Sequence, residues 1–289
     1  MPVCYRHPDR ETYVSCTRCG RPICPDDMVP ASVGFHCPDD AREGARSVRQ
    51  ARTVYGGRPV RRPAGTSALV GLNVVVFLAT ALGGTSLGFG GGASPLYARL
   101  ALQPVALDYG GAIGVVPGVA DGQLWRLVTA TFLHFGLLHL VFNMLALLSL
   151  GPVLETALGH GRFLALYALS GVAGTTASYA LGPVAQQAAG ASGAVFGLFA
   201  AAYLFERWRG GAAASSYAVL LAVNLVVTFT FPNIDVRGHL GGLVGGALVA
   251  AVLVLAPRGP RRTLVQALGC VGLAVVLAVV VALRTAALS

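Results

Sequence analysis

Seven apolar runs, at about 67–87, 133–150, 163–181, 192–205, 217–231, 238–255 and 264–283, constrain this chain more than any other feature. Runs of that length and character are spanning helices in a bilayer. Composition agrees, since 55% hydrophobic against 11% charged residues is too apolar for a soluble globule of 289 residues. The expected fold class is an all-α membrane protein.

Charge is distributed unevenly. All basic residues are Arg, and residues 1–62 hold 11 of them with 7 acids, leaving 10 Arg and 5 acids for the other 227 residues. A basic surplus just before the first apolar run is a cytoplasmic flank retained during insertion, which argues against a nucleic-acid surface. No apolar core of secretory type opens residues 1–40, so that segment is expected in the cytosol. With that orientation the interior loops carry Arg162, Arg207, Arg209, Arg258, Arg261 and Arg262, and the exterior loops Arg99, Arg126 and Arg237. Residues 42–65, rich in Arg with Gly and Pro, read as a linker along an anionic lipid surface. The 88–130 loop, with amphipathic stretches such as Pro95–Leu102, is expected in the outer interface.

The fourth run is short: 14 residues from Ser192 to Phe205, about 21 Å of helix against about 30 Å of hydrocarbon. With Glu206, Arg207 and Arg209 at the inner interface, Ser192 is expected below the outer surface. The non-helical residues 188–191 at that depth require a wet, protein-lined recess. Apart from Asp235 and the capping-type Asn233, the polar residues near the helices are His134, His139 and Asn143 on the second, Ser192 opening the fourth and His239 opening the sixth. All three helices run from outside to inside, so these groups can converge. His139 and Asn143 share a face at i,i+4, whereas His134 points about 140° away. A serine in a small-residue helix is usually packing, but intramembrane ionisable residues are functional by default. Gly238, Gly242 and Gly246 form a stripe facing Gly193 and Gly197, which would let the two helices approach until His239 can activate Ser192. The glycines alone fit ordinary helix packing equally well.

Four ordered stretches carry a resemblance: Trp125-Arg126; His134-Phe-Gly-Leu-Leu-His139-Leu-Val-Phe-Asn143; Gly190-Ala-Ser192-Gly193; and Gly238-His239-Leu-Gly-Gly242-Leu-Val-Gly-Gly246. Together they resemble the rhomboid intramembrane serine proteases. The resemblance implies a six-helix core over residues 66–256, with residues 257–289 an extra C-terminal spanning helix. It implies Ser192 as nucleophile, His239 as general base in a dyad without a carboxylate, and Asn143 and His139 in the oxyanion hole with the Ser192 N–H. Catalysis would need no cofactor. Trp125-Arg126 would position a loop, Glu155 with Gly159 would serve stability, and Phe196 would stack on the catalytic imidazole where many members have Tyr. Substrates would be transmembrane proteins cut in or near the outer part of their helix, at an integral plasma-membrane site open to the exterior. The competing readings are an inactive rhomboid-like scaffold or chaperone for membrane helices, and a transporter. The transporter reading lacks paired acids and repeated halves.

Residues 1–41 form a separate cysteine-bearing segment. Cys4/His7, Cys16/Cys19, Cys24/Asp27 and Cys37/Asp40 are pairs with two intervening residues, which is zinc-site spacing; reducing cytosol disfavours disulfides. The pattern resembles a B-box-like zinc finger, in which alternating pairs share a metal. That implies one Zn²⁺ site from Cys4, His7, Cys24 and Asp27, and another from Cys16, Cys19, Cys37 and Asp40, with His36 an alternative ligand. So small a segment would depend on structural Zn²⁺ for its fold, and a cytosolic protein contact is a generic role for it.

Overall fold

The structure, a computed structural model, describes residues 1–47, 51–83, 94–232 and 234–288; Asn233, Arg49 and the start of the 88–130 loop lie outside the described residues. The chain forms two compact units, Met1–Ala51 and Arg52–Ser289.

The first unit has little regular structure. β1 (Val29–Pro30) pairs antiparallel with β2 (Phe35–His36), and α1 (Pro38–Ser47) follows. Its buried apolar cluster is Cys16, Ile23 and Cys37, with Cys4 and Cys24 also buried. A core built mainly from thiols cannot supply the burial that a domain of this size needs.

The second unit is helical. α2 (Ala64–Leu82) leads into the short α3 (Pro95–Leu100), a hairpin of β3 (Leu107–Asp108) and β4 (Val115–Val116), and the single turn α4 (Arg126–Thr129). Then come α5 (Leu137–Leu158), α6 (His160–Leu181), α7 (Ser192–Arg209), α8 (Ala214–Thr230), α9 (Val236–Leu255) and α10 (Arg262–Leu288). Seven helices of 17 residues or more among the described residues thus overlap the seven apolar runs, but α5 begins at Leu137 and continues through Pro152 to Leu158, so His134, expected on the second helix, lies before it. Five of them, α2, α5, α6, α9 and α10, are long and apolar enough to cross a membrane by length and composition.

The fourth run needs correction. α7 has 18 residues, not 14, and spans about 27 Å. The helix continues through Glu206, Arg207 and Arg209 because side-chain polarity does not end a helix; Gly210 does. Its left-handed φ of 67° lets its N–H and that of Gly211 turn back to the Glu206 and Arg207 carbonyls. The recess argued from a short helix therefore does not follow from length. The non-helical approach at 188–191 and the start at Ser192 both stand.

α7 is the centre of the bundle, with 11 of its residues buried. Its small side chains explain why. A Cβ on Gly242 would lie 2.1 Å from the Gly193 carbonyl oxygen, and one on Gly246 would lie 2.2 Å from Gly197 Cα, so α7 and α9 meet backbone to backbone. A second stripe, Gly241 and Gly245, gives α9 an equally close seat on Ala177 and Ala173 of α6. By contrast α8 buries only Thr228, and α10 only Gln266 and Val281.

Glu155, fully buried near the end of α5, anchors α2. Its carboxylate accepts from the Gly65 and Thr66 N–H groups and from Thr66 Oγ1, all at 2.7 Å, and pairs with His160. Those N–H groups are the orphan donors of a helix N-terminus, so Glu155 acts as a cap supplied from another helix. Part of the Arg-rich segment also packs within this unit: Tyr55 is buried against Phe205, and its carbonyl accepts from Gln266.

Candidate active site

The segment before α7 is held by main-chain bonds. Leu102 and Ala188 exchange two hydrogen bonds of 3.0 Å, and Gly190 N–H donates to the Ala130 carbonyl at 2.9 Å. Arg126 secures the other side of that junction. Fully buried, it donates to the carbonyls of Ala98 at 2.9 Å and Ala101 at 2.5 Å and to Gln123 Oε1 at 2.8 Å. Trp125 is 52% exposed, so the two residues of this motif differ: one is a buried clamp and the other an exposed ring.

Ser192 and His239 line one cleft, with Gly190, Gly193, Thr175, Asp235 and Gly238 among its walls. The cleft has about 30 Å³ of free space, room for one or two waters. Glycine contact between α7 and α9 brings the two residues there. The N-terminal end of α9 is fixed to α6 through Asp235, which accepts from Gly238 N–H at 3.1 Å and from the Ser178 hydroxyl. Phe196 stacks on His239 at 4.4 Å and 22°, as expected one turn below Ser192. No hydrogen bond joins Ser192 to His239 among the described residues, and such contacts often tighten only with substrate.

His139 reaches the same place from α5. A Cβ on Gly190 would lie 2.9 Å from His139 Nε2 and 3.4 Å from Ser192 Oγ, so the missing side chain leaves free a volume flanked by both. Asn143 is buried one turn further along, its Nδ2 donating to the His139 carbonyl at 2.8 Å, and does not line the cleft. His134 is fully buried edge-on to His139 at 5.0 Å.

The hydrogen-bond partners are compatible with opposite tautomers for the two histidines. His139 Nδ1 accepts from Phe135 N–H at 3.4 Å, which puts the ring proton on Nε2 and makes that atom a donor. His239 Nδ1 meets Thr228 Oγ1 at 2.8 Å, and that hydroxyl also lies 2.8 Å from the Asn224 carbonyl. With the single hydroxyl proton of Thr228 donated to the Asn224 carbonyl, an oxygen lone pair is left to accept from His239 Nδ1–H. His239 Nε2 is then a free lone pair. One histidine can take a proton and the other can give a hydrogen bond. Sequence reading found both histidines but not Thr228, which carries no signal beyond being a hydroxyl in an apolar run.

In the first unit, the crossed pairing is found. The ligand atoms of Cys4, His7, Cys24 and Asp27, and of Cys16, Cys19, Cys37 and Asp40, form two groups, each within 4.8 Å of one another. A tetrahedron with metal–sulfur distances of about 2.3 Å has edges of about 3.8 Å. Cys19 and Cys37 Sγ are 3.8 Å apart, Cys4 Sγ and His7 Nδ1 3.7 Å, and Cys16 Sγ and Asp40 Oδ2 3.1 Å, so the residues fit such an ion. Hydrogen bonds from the Cys19 and Cys16 thiols hold the Asp40 carboxyl down at about 2, the anionic form a cation needs. His36 joins neither group.

The Rhomboid domain sequence profile matches residues 121–256. "Rhomboid protease GluP" of Bacillus subtilis is 40% identical over 166 residues, which cover 54% of this chain and 32% of that protein. "RHOMBOID-like protein 5" of Arabidopsis thaliana is 35% identical over 147 residues, 48% of this chain and 47% of that one. This chain therefore spans about a third to a half of the length of those two relatives. "Putative rhomboid protease YdcA" of Bacillus subtilis is matched over most of its length, 38% identical across 164 residues that cover 82% of it and 55% of this chain. With that coverage and the helical bundle around Ser192 and His239, the chain belongs to the rhomboid family.

Proposed function

We propose that this protein is an intramembrane serine endopeptidase that cleaves membrane-anchored proteins in or near their transmembrane segment. The observation that supports the reading is the convergence of His239 and His139 on a serine at a helix N-terminus. His239 Nε2 takes the Ser192 proton as Oγ attacks the scissile carbonyl. The oxyanion that forms is held by His139 Nε2–H and by the Ser192 N–H, an orphan donor at the positive end of α7; Asn143 joins them only if its amide turns from the His139 carbonyl toward the cleft. A donor of this kind is worth about 10²–10³ in rate within a low-dielectric pocket. His239 then protonates the leaving amine, and water in the cleft hydrolyses the acyl-enzyme by the same route in reverse. A helical substrate must unwind locally to present its carbonyl.

In the membrane, the Arg distribution supports a cytoplasmic N-terminus and a site open to the exterior face. The two Cys/His/Asp groups would hold Zn²⁺ as structural ions in the cytosolic unit, with no part in catalysis.

The test uses purified full-length protein, a fluorophosphonate probe and a reporter with an unstable transmembrane helix. We expect labelling and cleavage that both vanish in Ser192→Ala. A folded wild type that binds the reporter but neither labels nor cleaves would overturn the reading in favour of a helix-binding scaffold.

A further inference from the structure

Thr228 is 1% exposed and is the only buried residue of α8, a helix whose other residues are exposed or only partly buried. Tyr217 and Leu221 pack against the core from the same helix, and a hydroxyl at its most buried position is costly unless it is bonded. It makes two bonds of 2.8 Å, to the Asn224 carbonyl and to His239 Nδ1. The other titratable groups facing His239 are Asp235, before α9, and His139 on α5. Among the described residues neither is hydrogen-bonded to Nδ1, and no carboxylate is hydrogen-bonded to the ring.

We infer that Thr228 is a positioning residue for the general base: its hydroxyl, polarised by the Asn224 carbonyl, fixes the Nδ1–H tautomer of His239 and aims Nε2 at Ser192. The task is the one a carboxylate performs in three-residue serine hydrolase sites, carried out here by a neutral acceptor. A neutral group suits a lipid-embedded position, because an unpaired buried carboxylate beside a neutral imidazole would be far more expensive. The protons balance without further partners. His239 Nδ1–H is donated to Thr228 throughout, Nε2 gains the Ser192 proton during attack and loses it to the leaving amine, and the Thr228 proton stays on its own Oγ1, donated to the Asn224 carbonyl. The tie also has a mechanical side, since the helix that orients the base has a single fully buried residue.

This inference rests on the Ser192–His239 reading, and the experiment separates the two. Thr228→Val keeps shape and removes the hydroxyl; Thr228→Ser keeps the hydroxyl and removes a methyl. We expect kcat for the transmembrane reporter to fall about 10- to 100-fold in Thr228→Val with KM unchanged, the size expected when a buried N–H loses its acceptor, and Thr228→Ser to stay within about threefold of wild type. Nitrogen-15 shifts of the His239 ring, assigned by comparison with His239→Gln, should show the Nδ1–H tautomer in wild type and Thr228→Ser and a mixed population in Thr228→Val. A packing role would give the opposite order, with Val active and Ser impaired. That order, or an Nε2–H tautomer in an active wild type, overturns the inference while leaving the protease reading intact. An inactive wild type overturns both.

Discussion

At the residue scale, the smallest side chain has the sharpest consequence. Gly190 has φ 143°, a region that disfavours any other residue, and a Cβ there would come within 3 Å of the His139 ring. The same atom would occupy the space beside Ser192 Oγ that a reacting carbonyl needs. We expect Gly190→Ala to lower turnover at least 100-fold while thermal unfolding shifts only modestly, measured by reporter cleavage beside a melting curve. Phe196→Ala should remove the ring on which His239 rests and slow turnover about 3- to 10-fold, with Phe196→Tyr close to wild type. Ser192, His239 and the stacking of Phe196 were legible because they need only a motif and the i,i+4 rule. Thr228 was not, because its meaning depends on which helix α8 meets, and an apolar run with one hydroxyl says nothing about that.

Among elements, the sequence located every long helix but misjudged where α5 and α7 stop. Counting apolar residues ended α7 at Phe205, whereas backbone geometry ends it at the left-handed Gly210. The glycine stripe facing α7 could be read from the four-residue spacing of Gly238, Gly242 and Gly246. The second stripe, Gly241 and Gly245, is offset by one residue and takes on meaning only once α6 lies beside it. We expect Gly242→Val to force α7 away from α9 and to abolish probe labelling of Ser192, because the added carbons would fall on the Gly193 main chain. Glu155→Ala tests a different link. It strips α2 of three hydrogen bonds and should destabilise the helical unit by about 2–4 kcal/mol in an unfolding titration. In what remains folded, kcat should be unchanged.

For the whole molecule, the two units answer to different forces. The helical one is held by lipid-facing apolar surface and close small-residue packing, the N-terminal one by whatever joins its thiols, imidazole and carboxylates. We expect metal analysis to return about two zinc per chain. Chelation should expose residues 1–51 to protease and leave the Arg52–Ser289 helices, measured by circular dichroism, intact. The crossed pairing of that unit was legible because ligand spacing is a local quantity, and the placement of Tyr55 against Phe205 was not, because nothing local marks an Arg-rich segment as packed. The contact between α7 and α9 has one more consequence. It is made by main chain, so no rotamer can relax it. In a scan of every single substitution, positions 193, 197, 242 and 246 should therefore prove as intolerant as Ser192, though none of them has a side chain with which to touch a substrate. A map of intolerance alone would draw the catalytic centre as a stripe running deep between the two helices.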